Sequence, residues 1–143
     1  MYSRILVPID GSENSLRALR HALYLSSNLG SKLVIVHISE IHPVVYVQSQ
    51  KIIDSINNTL TEEVKEIFKH VELEAQNYKT AVYETVMLKG NPIASVIIEY
   101  ADKNDIDIIV IGSRGRGKVK TAIAGSVAHD VFYHTKKPIL IVR

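Results

Sequence analysis

Ile106-Asp-Ile-Ile-Val-Ile111 runs into Gly112-Ser-Arg-Gly115-Arg-Gly117-Lys118, and seven residues later the chain reaches Gly125-Ser126-Val127. The isoleucine-rich part is a short, continuous apolar run of the kind a buried strand shows. The glycines end it. From about Ser126 to His134 a short helical pattern follows, so the stretch reads as strand, glycine-rich loop and helix.

The same alternation extends in both directions. Arg4-Ile-Leu-Val-Pro-Ile9 is an apolar run that stops at the turn signal Asp10-Gly11-Ser12. Leu16, Leu19 and Leu23, with Ala18, Ala22 and Leu25 close by, mark one face of a helix. Ser12 suits its N-cap, and Gly30 its C′ position. Lys32 to Ile38 is a second β-branched run, and Ser39 to Val47 reads as a loop broken by Pro43. Ile52, Ile56, Leu60, Val64, Ile67, Val71 and Ala75 recur at steps of three or four, the stripe of a long amphipathic helix. Ala81 to Leu88 is strand-like, and Met87 and Leu88 are expected in the core. Asn91 is expected as an N-cap with Pro92 at the first helical position. Ile93, Val96, Ile97 and Tyr100 give the third helical face, and Pro138 to Val142 is the last strand.

Five apolar strands alternating with four helices imply an α/β fold with a parallel sheet covered on both faces. Right-handed crossovers place helices on both sides only if the strand order reverses somewhere. We therefore expect one doubly wound, five-stranded domain over residues 1–143 in the order 3-2-1-4-5. The reversal then lies between strands 1 and 4, and a ligand is expected at their carboxyl ends. Those ends are Ile9-Asp10 and Ile111-Gly112, so topology and the glycine-rich loop point to one place.

Composition narrows the class. The chain has 143 residues, 46% hydrophobic and 22% charged, with a net charge of +2 and no Cys. One core suffices at this length. The lack of thiols excludes a disulfide or thiolate-metal framework and favours a cytoplasmic protein. No apolar run has the length of a membrane span, and no secretory leader is expected ahead of Arg4. The positive charge is local, in Arg114, Arg116, Lys118 and Lys120. That cluster is short and has no interleaved aromatics, which does not support nucleic acid as a partner.

The loop suits a polyphosphate. Gly112 and Gly115 are expected to take positive φ and bring backbone N–H groups close to a ligand. Gly125-Ser126 opens a helix, where free N–H groups and the positive end of the dipole converge. Two better-known patterns fail. Gly112-x4-Gly117-Lys118 approaches a Walker A loop but has Val119 where the Mg²⁺-binding hydroxyl belongs. Gly115-x-Gly117 lacks the third glycine of a dinucleotide fingerprint. Elsewhere, His37 is expected as a satisfied core residue on a buried strand. His129 and His134 are five apart and do not share a helical face. Asp102, Asp105 and Asp107 are expected only to solubilise the amino end of strand 4.

Gly112, Gly115, Gly125 and Ser126 stand at the spacing G-x2-G-x9-G-[S/T]. This closely resembles the ATP-binding signature of the universal stress protein family. Ile5-Leu-Val-Pro-Ile-Asp-Gly-Ser12 is similar to that family's first strand and turn, and Val36-His37-Ile38 to the end of its second strand. Gly90-x-Pro92 is similar to the start of its third helix, and Lys137-Pro-Ile-Leu-Ile-Val142 to its last strand. The resemblance spans the chain and implies a Rossmann-like fold of the adenine nucleotide alpha hydrolase-like type.

By that resemblance, Pro8, Ile9 and Asp10 line the adenosine part of a pocket, with Asp10 near the ribose or base. Ile38 meets the adenine through its backbone. Gly112, Ser113, Arg114, Gly115 and Arg116 wrap the phosphates, and Gly125, Ser126 and Val127 hold their other side. The ligand implied is ATP, or ADP or AMP, with Mg²⁺ carried on the phosphates rather than by protein ligands. No residue is implied as catalytic. The function implied is a stress-response or signalling module that binds ATP with little or no turnover; the alternative is a slow Mg²⁺-dependent ATPase or phosphotransferase. The resemblance further implies a homodimer through the edge strand Pro138–Val142, alongside a protein partner that the sequence does not specify.

Overall fold

The computed structural model describes residues 1–40, 50–115 and 124–143, with the side chains at 50, 52, 53 and 56 left aside. Its elements run β1 (Arg4–Pro8), α1 (Glu13–Leu29), β2 (Lys32–Ser39), α2 (Gln50–Asn77), β3 (Val82–Lys89), α3 (Ile93–Lys103), β4 (Ile108–Gly112), α4 (Ser126–His134) and β5 (Ile139–Val142). The strands form one parallel sheet in the order β3-β2-β1-β4-β5. The expected doubly wound topology is the observed one.

Alternation along each strand divides the core in two. Ile5, Val7, Ile9, Leu33, Ile35 and Val110 pack under α1 and α2, against Ala18, Leu19, Ala22, Leu23 and Val71. Leu6, Val34, Val36, Ile38, Ile109 and Ile111 pack under α3 and α4, against Ala94, Ile97, Ala101, Ala128 and Val131. Each fully buried aliphatic side chain contributes roughly 1.5–3 kcal/mol by leaving water. Strands apolar on both faces thus follow from a sheet with helices on both sides.

The caps of α1 form where the sequence places them. Ser12 accepts the Ser15 N–H at its side chain, and Gly30 takes the left-handed conformation (φ 69°) with its N–H on the Ser26 carbonyl. At α3 the expectation shifts by one residue. Pro92 is the N-cap and Ile93 the first helical residue, because the Pro92 carbonyl accepts from Ser95 N at 3.1 Å and Val96 N at 3.3 Å.

Three further details differ from the sequence reading. Ser39 closes β2 instead of opening a loop, pairing with Lys89. Leu60 is exposed, because α2 outruns the sheet: 28 residues of helix span about 42 Å, against about 27 Å for the 8 residues of β2 or β3. Among the described side chains of the stripe, Val64, Val71 and Ala75 in its later part are buried. Met87 is also exposed, since β3 is an edge strand and is half uncovered. Among the described residues no helix is long and apolar enough to cross a membrane.

Candidate functional site

The carboxyl ends of β1 and β4 lie side by side, as the pairing of Ile5 with Ile108 and Leu6 with Ile109 requires. Beyond β1 the chain makes one more bond to β2, Ile9 N to Val36 O at 2.8 Å, before it turns at Asp10. The Asp10 carboxylate then accepts the Ser12 N–H at 2.9 Å, an Asx turn that leads into α1. Pro8 and Ile9 are buried and Asp10 is half-buried.

The glycines of β4 and its loop are fixed by contact, not by positive φ. The described glycines with positive φ are Gly11, Gly30 and Gly90, so the expectation of positive φ at Gly112 and Gly115 is corrected. A Cβ on Gly112 would lie 2.6 Å from both the C and O atoms of Asn14 and 2.9 Å from Ser15 N. Glycine is thus needed there so that β4 can approach the first turn of α1. A Cβ on Gly115 would lie 2.6 Å from Asp10 Oδ2. That brings the loop after β4 against the turn after β1.

Ser113 joins the two halves of the loop. It is buried, its N–H donates to the Val142 carbonyl at 2.6 Å, and its own carbonyl accepts the Gly125 N–H at 2.6 Å. Gly125, where an added Cβ would lie 3.4 Å from Arg114 Cα and 3.5 Å from the Ser113 carbonyl oxygen, is the N-cap of α4 and offers no side-chain cap. The first bond of the helix is His129 N to Gly125 O. The N–H groups of Ser126, Val127 and Ala128 therefore stand outside the helix's own ladder and are available to an anion.

Beside this loop opens a cavity of about 520 Å³, lined by Ser126, Val127 and Asp130 of α4, Pro92, Ile93 and Ala94 at the start of α3, Asn91, and Glu40 beyond β2. Of the site residues expected from sequence, Ser126 and Val127 line this cavity. Pro8, Ile9, Asp10, Gly112, Ser113, Arg114 and Gly115 gather at the adjoining strand ends, and Ile38 is the penultimate residue of β2, two residues before Glu40. Arg116 lies outside the described residues, as do Gly117, Lys118 and Lys120. Sequence reasoning had not reached Asn91, Ala94, Glu40 and Asp130 as cavity walls. The available signal was topological: α3 and α4 each follow a strand of a parallel sheet, so both begin at its carboxyl edge, and they cover the same face.

Two other side chains have different settings from those expected. His37 is half-buried, and its Nδ1 bonds the Ile9 carbonyl at 2.8 Å, so it belongs to the end of β1 rather than to the core alone. Asp107, expected only to solubilise, accepts the backbone N–H groups of Ser3 at 2.7 Å and Arg4 at 2.9 Å. The Arg4 N–H, with that of Ser3, holds its carboxyl below the ordinary carboxylate value, against partial burial that pushes it up. Among the described residues no group of three or more metal-ligating side chains occurs.

The sequence profile of the universal stress protein family matches residues 1–143. The chain belongs to the universal stress protein family. It is 34% identical to universal stress protein YxiE of Bacillus subtilis, over all of both chains. It is 31% identical to universal stress protein MJ0531 of Methanocaldococcus jannaschii, over 100% of this chain and 83% of that one. The solved structure of MJ0577, a universal stress protein of the same archaeon, superposes with a TM-score of 0.84 at 27% identity, covering 99% and 96% of the two chains. The same fold is found in a universal stress protein in complex with cAMP (TM-score 0.74, 23% identity) and in one from Archaeoglobus fulgidus in complex with dAMP (TM-score 0.69, 24% identity). Each of these two covers 99% of this chain, which covers 97% and 98% of theirs.

Proposed function

We propose that this member of the family is an adenine-nucleotide-binding module of stress response or signalling, binding ATP, ADP or AMP with little or no turnover. The observation that carries the reading is the Gly125 N–H to Ser113 carbonyl bond. It closes the two halves of the glycine-rich loop around the uncapped start of α4, beside Asp10. Phosphates would sit on the Ser126 and Val127 N–H groups, with Arg114 near the mouth and Mg²⁺ bridging phosphate oxygens. The nucleoside would lie toward Pro8, Ile9, Asp10 and Ile38. That the same fold accommodates cAMP and dAMP in other members is consistent with a mononucleotide of this kind.

Binding is favoured over hydrolysis by the state of Asp10. Turnover needs a group that orients the attacking water. One oxygen of Asp10 is already engaged by the Ser12 N–H. Calorimetric titration with AMP, ADP and ATP tests the reading, with Gly125→Val expected to abolish binding of all three. Phosphate release by the wild type with Mg²⁺ is expected below about one event per minute, far under typical enzyme rates. Faster release, stopped by Asp10→Ala without loss of binding, would replace the module by the slow ATPase.

The edge strand supports a second element of the proposal, a homodimer through Pro138–Val142. Ile109 N donates to Pro138 O and Ser113 N to Val142 O, so residues 138 and 142 turn their backbone groups toward β4. By the period of two, Ile139 and Ile141 turn theirs outward. Such an edge pairs readily with its twin about a two-fold axis. Light scattering behind size exclusion is expected to report a dimer at micromolar concentration, and a monomer there would count against it.

A further inference from the structure

The peptide linking Ile9 to Asp10 is gripped at both of its polar ends by side chains from outside β1. At one end His37 Nδ1 lies 2.8 Å from the Ile9 carbonyl oxygen. A carbonyl only accepts, so Nδ1 carries the hydrogen and donates it. At the other end the Asp10 N–H donates to Ser15 Oγ at 3.4 Å. The Ser15 hydroxyl spends its own hydrogen on the Ser12 carbonyl at 2.9 Å, which leaves its oxygen to accept from Asp10. The Ser12 N–H then returns to Asp10 Oδ1 at 2.9 Å, and Ser12 Oγ accepts the Ser15 N–H at 3.2 Å. The bonds form a closed circuit around one carboxylate.

Ile9 and Ser15 are both buried, so the partners that hold this peptide are protein groups set into the core. Neither His37 nor Ser15 lines the cavity. We propose that His37 and Ser15 are positioning residues: they fix the plane of the Ile9–Asp10 peptide and so set the direction in which the Asp10 carboxylate meets the nucleoside of a bound nucleotide. This rests on the nucleotide-binding reading. It concerns one half of the site only. The phosphate half is built from β4, its loop and α4, through the Ser113 bonds to Val142 and Gly125; it meets Asp10 at Gly115, but none of these bonds runs through His37 or the Ser15 hydroxyl.

That division supplies the test. AMP and inorganic tripolyphosphate are titrated calorimetrically against wild type, His37→Leu and His37→Asn, since an asparagine amide N–H can stand where Nδ1–H stood. Loss of one such oriented contact is expected to weaken AMP by about tenfold in His37→Leu, with tripolyphosphate within about twofold of wild type. His37→Asn is expected to recover most of the AMP affinity. The ¹⁵N spectrum of the wild-type imidazole is expected to show a hydrogen on Nδ1. Unchanged AMP affinity in His37→Leu would overturn the proposal. So would an equal loss of both ligands in the Leu and Asn variants, the result of a role in stability alone. If His37→Leu does not fold, Ser15→Ala is read by the same split. A wild type that binds no AMP overturns the nucleotide reading itself. The positioning claim then rests on the Asp10 ¹³Cγ resonance, which must move in His37→Leu and overturns the claim if it does not.

Discussion

Gly115 and Asp10 are in contact across the switch point of the sheet: a Cβ on Gly115 would stand 2.6 Å from Asp10 Oδ2. The two residues come from loops that follow β1 and β4, and their closeness ties the turn that starts α1 to the glycine-rich loop. Because Asp10 Oδ1 is held by the Ser12 N–H, the carboxylate has little room to withdraw.

Gly115→Ala should therefore displace the Asp10 carboxylate and weaken AMP binding by about tenfold, the scale of one well-placed hydrogen bond. Gly115 is exposed, so thermal stability should change little. The pair should also be coupled. In Asp10→Ala the added methyl meets no carboxylate, and the double mutant should bind no worse than Asp10→Ala alone. A double-mutant cycle by calorimetry checks both statements.

Gly112→Ala is expected to act on the fold. Its Cβ would run into the Asn14 and Ser15 backbone, which cannot swing aside as a side-chain tip can. A cost of about 1–3 kcal/mol is the expected range for such overpacking. Urea unfolding should show a lower midpoint with an unchanged slope.

Ile109→Ala removes a fully buried side chain from the centre of β4, under α3 and α4. The expected loss is about 2–5 kcal/mol, from transfer and cavity together. Denaturant titration measures it.

Asp107 gives a pH dependence of defined sign. Its folded carboxyl lies below the ordinary value because two backbone N–H groups hold the ionised form. Its contribution is therefore fully present above the unfolded value of about 3.9 and is lost as pH falls through the lower folded value. Asp107→Asn should be less stable than wild type at pH 6, and the difference should shrink from about pH 4 downward. Thermal melts across that range read it.

Ile141→Pro removes an N–H that β5 turns outward and leaves the β4–β5 bonds of Pro138 and Val142 in place. If the chain dimerises through this edge, light scattering should shift from dimer to monomer with the far-ultraviolet circular dichroism preserved.

Several of these residues had a legible address in the sequence but not a legible reason. The spacing of Gly112, Gly115, Gly125 and Ser126 marked the loop and the resemblance that goes with it. What each glycine excludes could not be read, since Asn14, Asp10 and Arg114 are neighbours in space only. Asp107 looked solubilising because its partners, Ser3 and Arg4, are more than a hundred residues away. Met87 and Leu60 looked buried because an apolar residue at the right period carries no sign of whether another element covers it. Asn91 and Pro92 look like the start of a helix, and a helix start shows nothing of the cavity it borders.

By itself the sequence determined the alternation of strands and helices, the caps of α1 at Ser12 and Gly30, and the order of the sheet. The first two follow from local periodicity and single-residue conformational preference, which act within a few tens of residues, and the order from the handedness of crossovers with the reversal that a sheet covered on both faces requires. Only the tertiary structure decided that His37 and Ser15 hold the peptide before Asp10, that Gly115 abuts its carboxylate, and that Ser113 draws Gly125 back onto the end of β4. Those are contacts between chain segments that meet only after the sheet has closed, and hydrogen-bond partners chosen by direction and distance leave no trace in residue spacing.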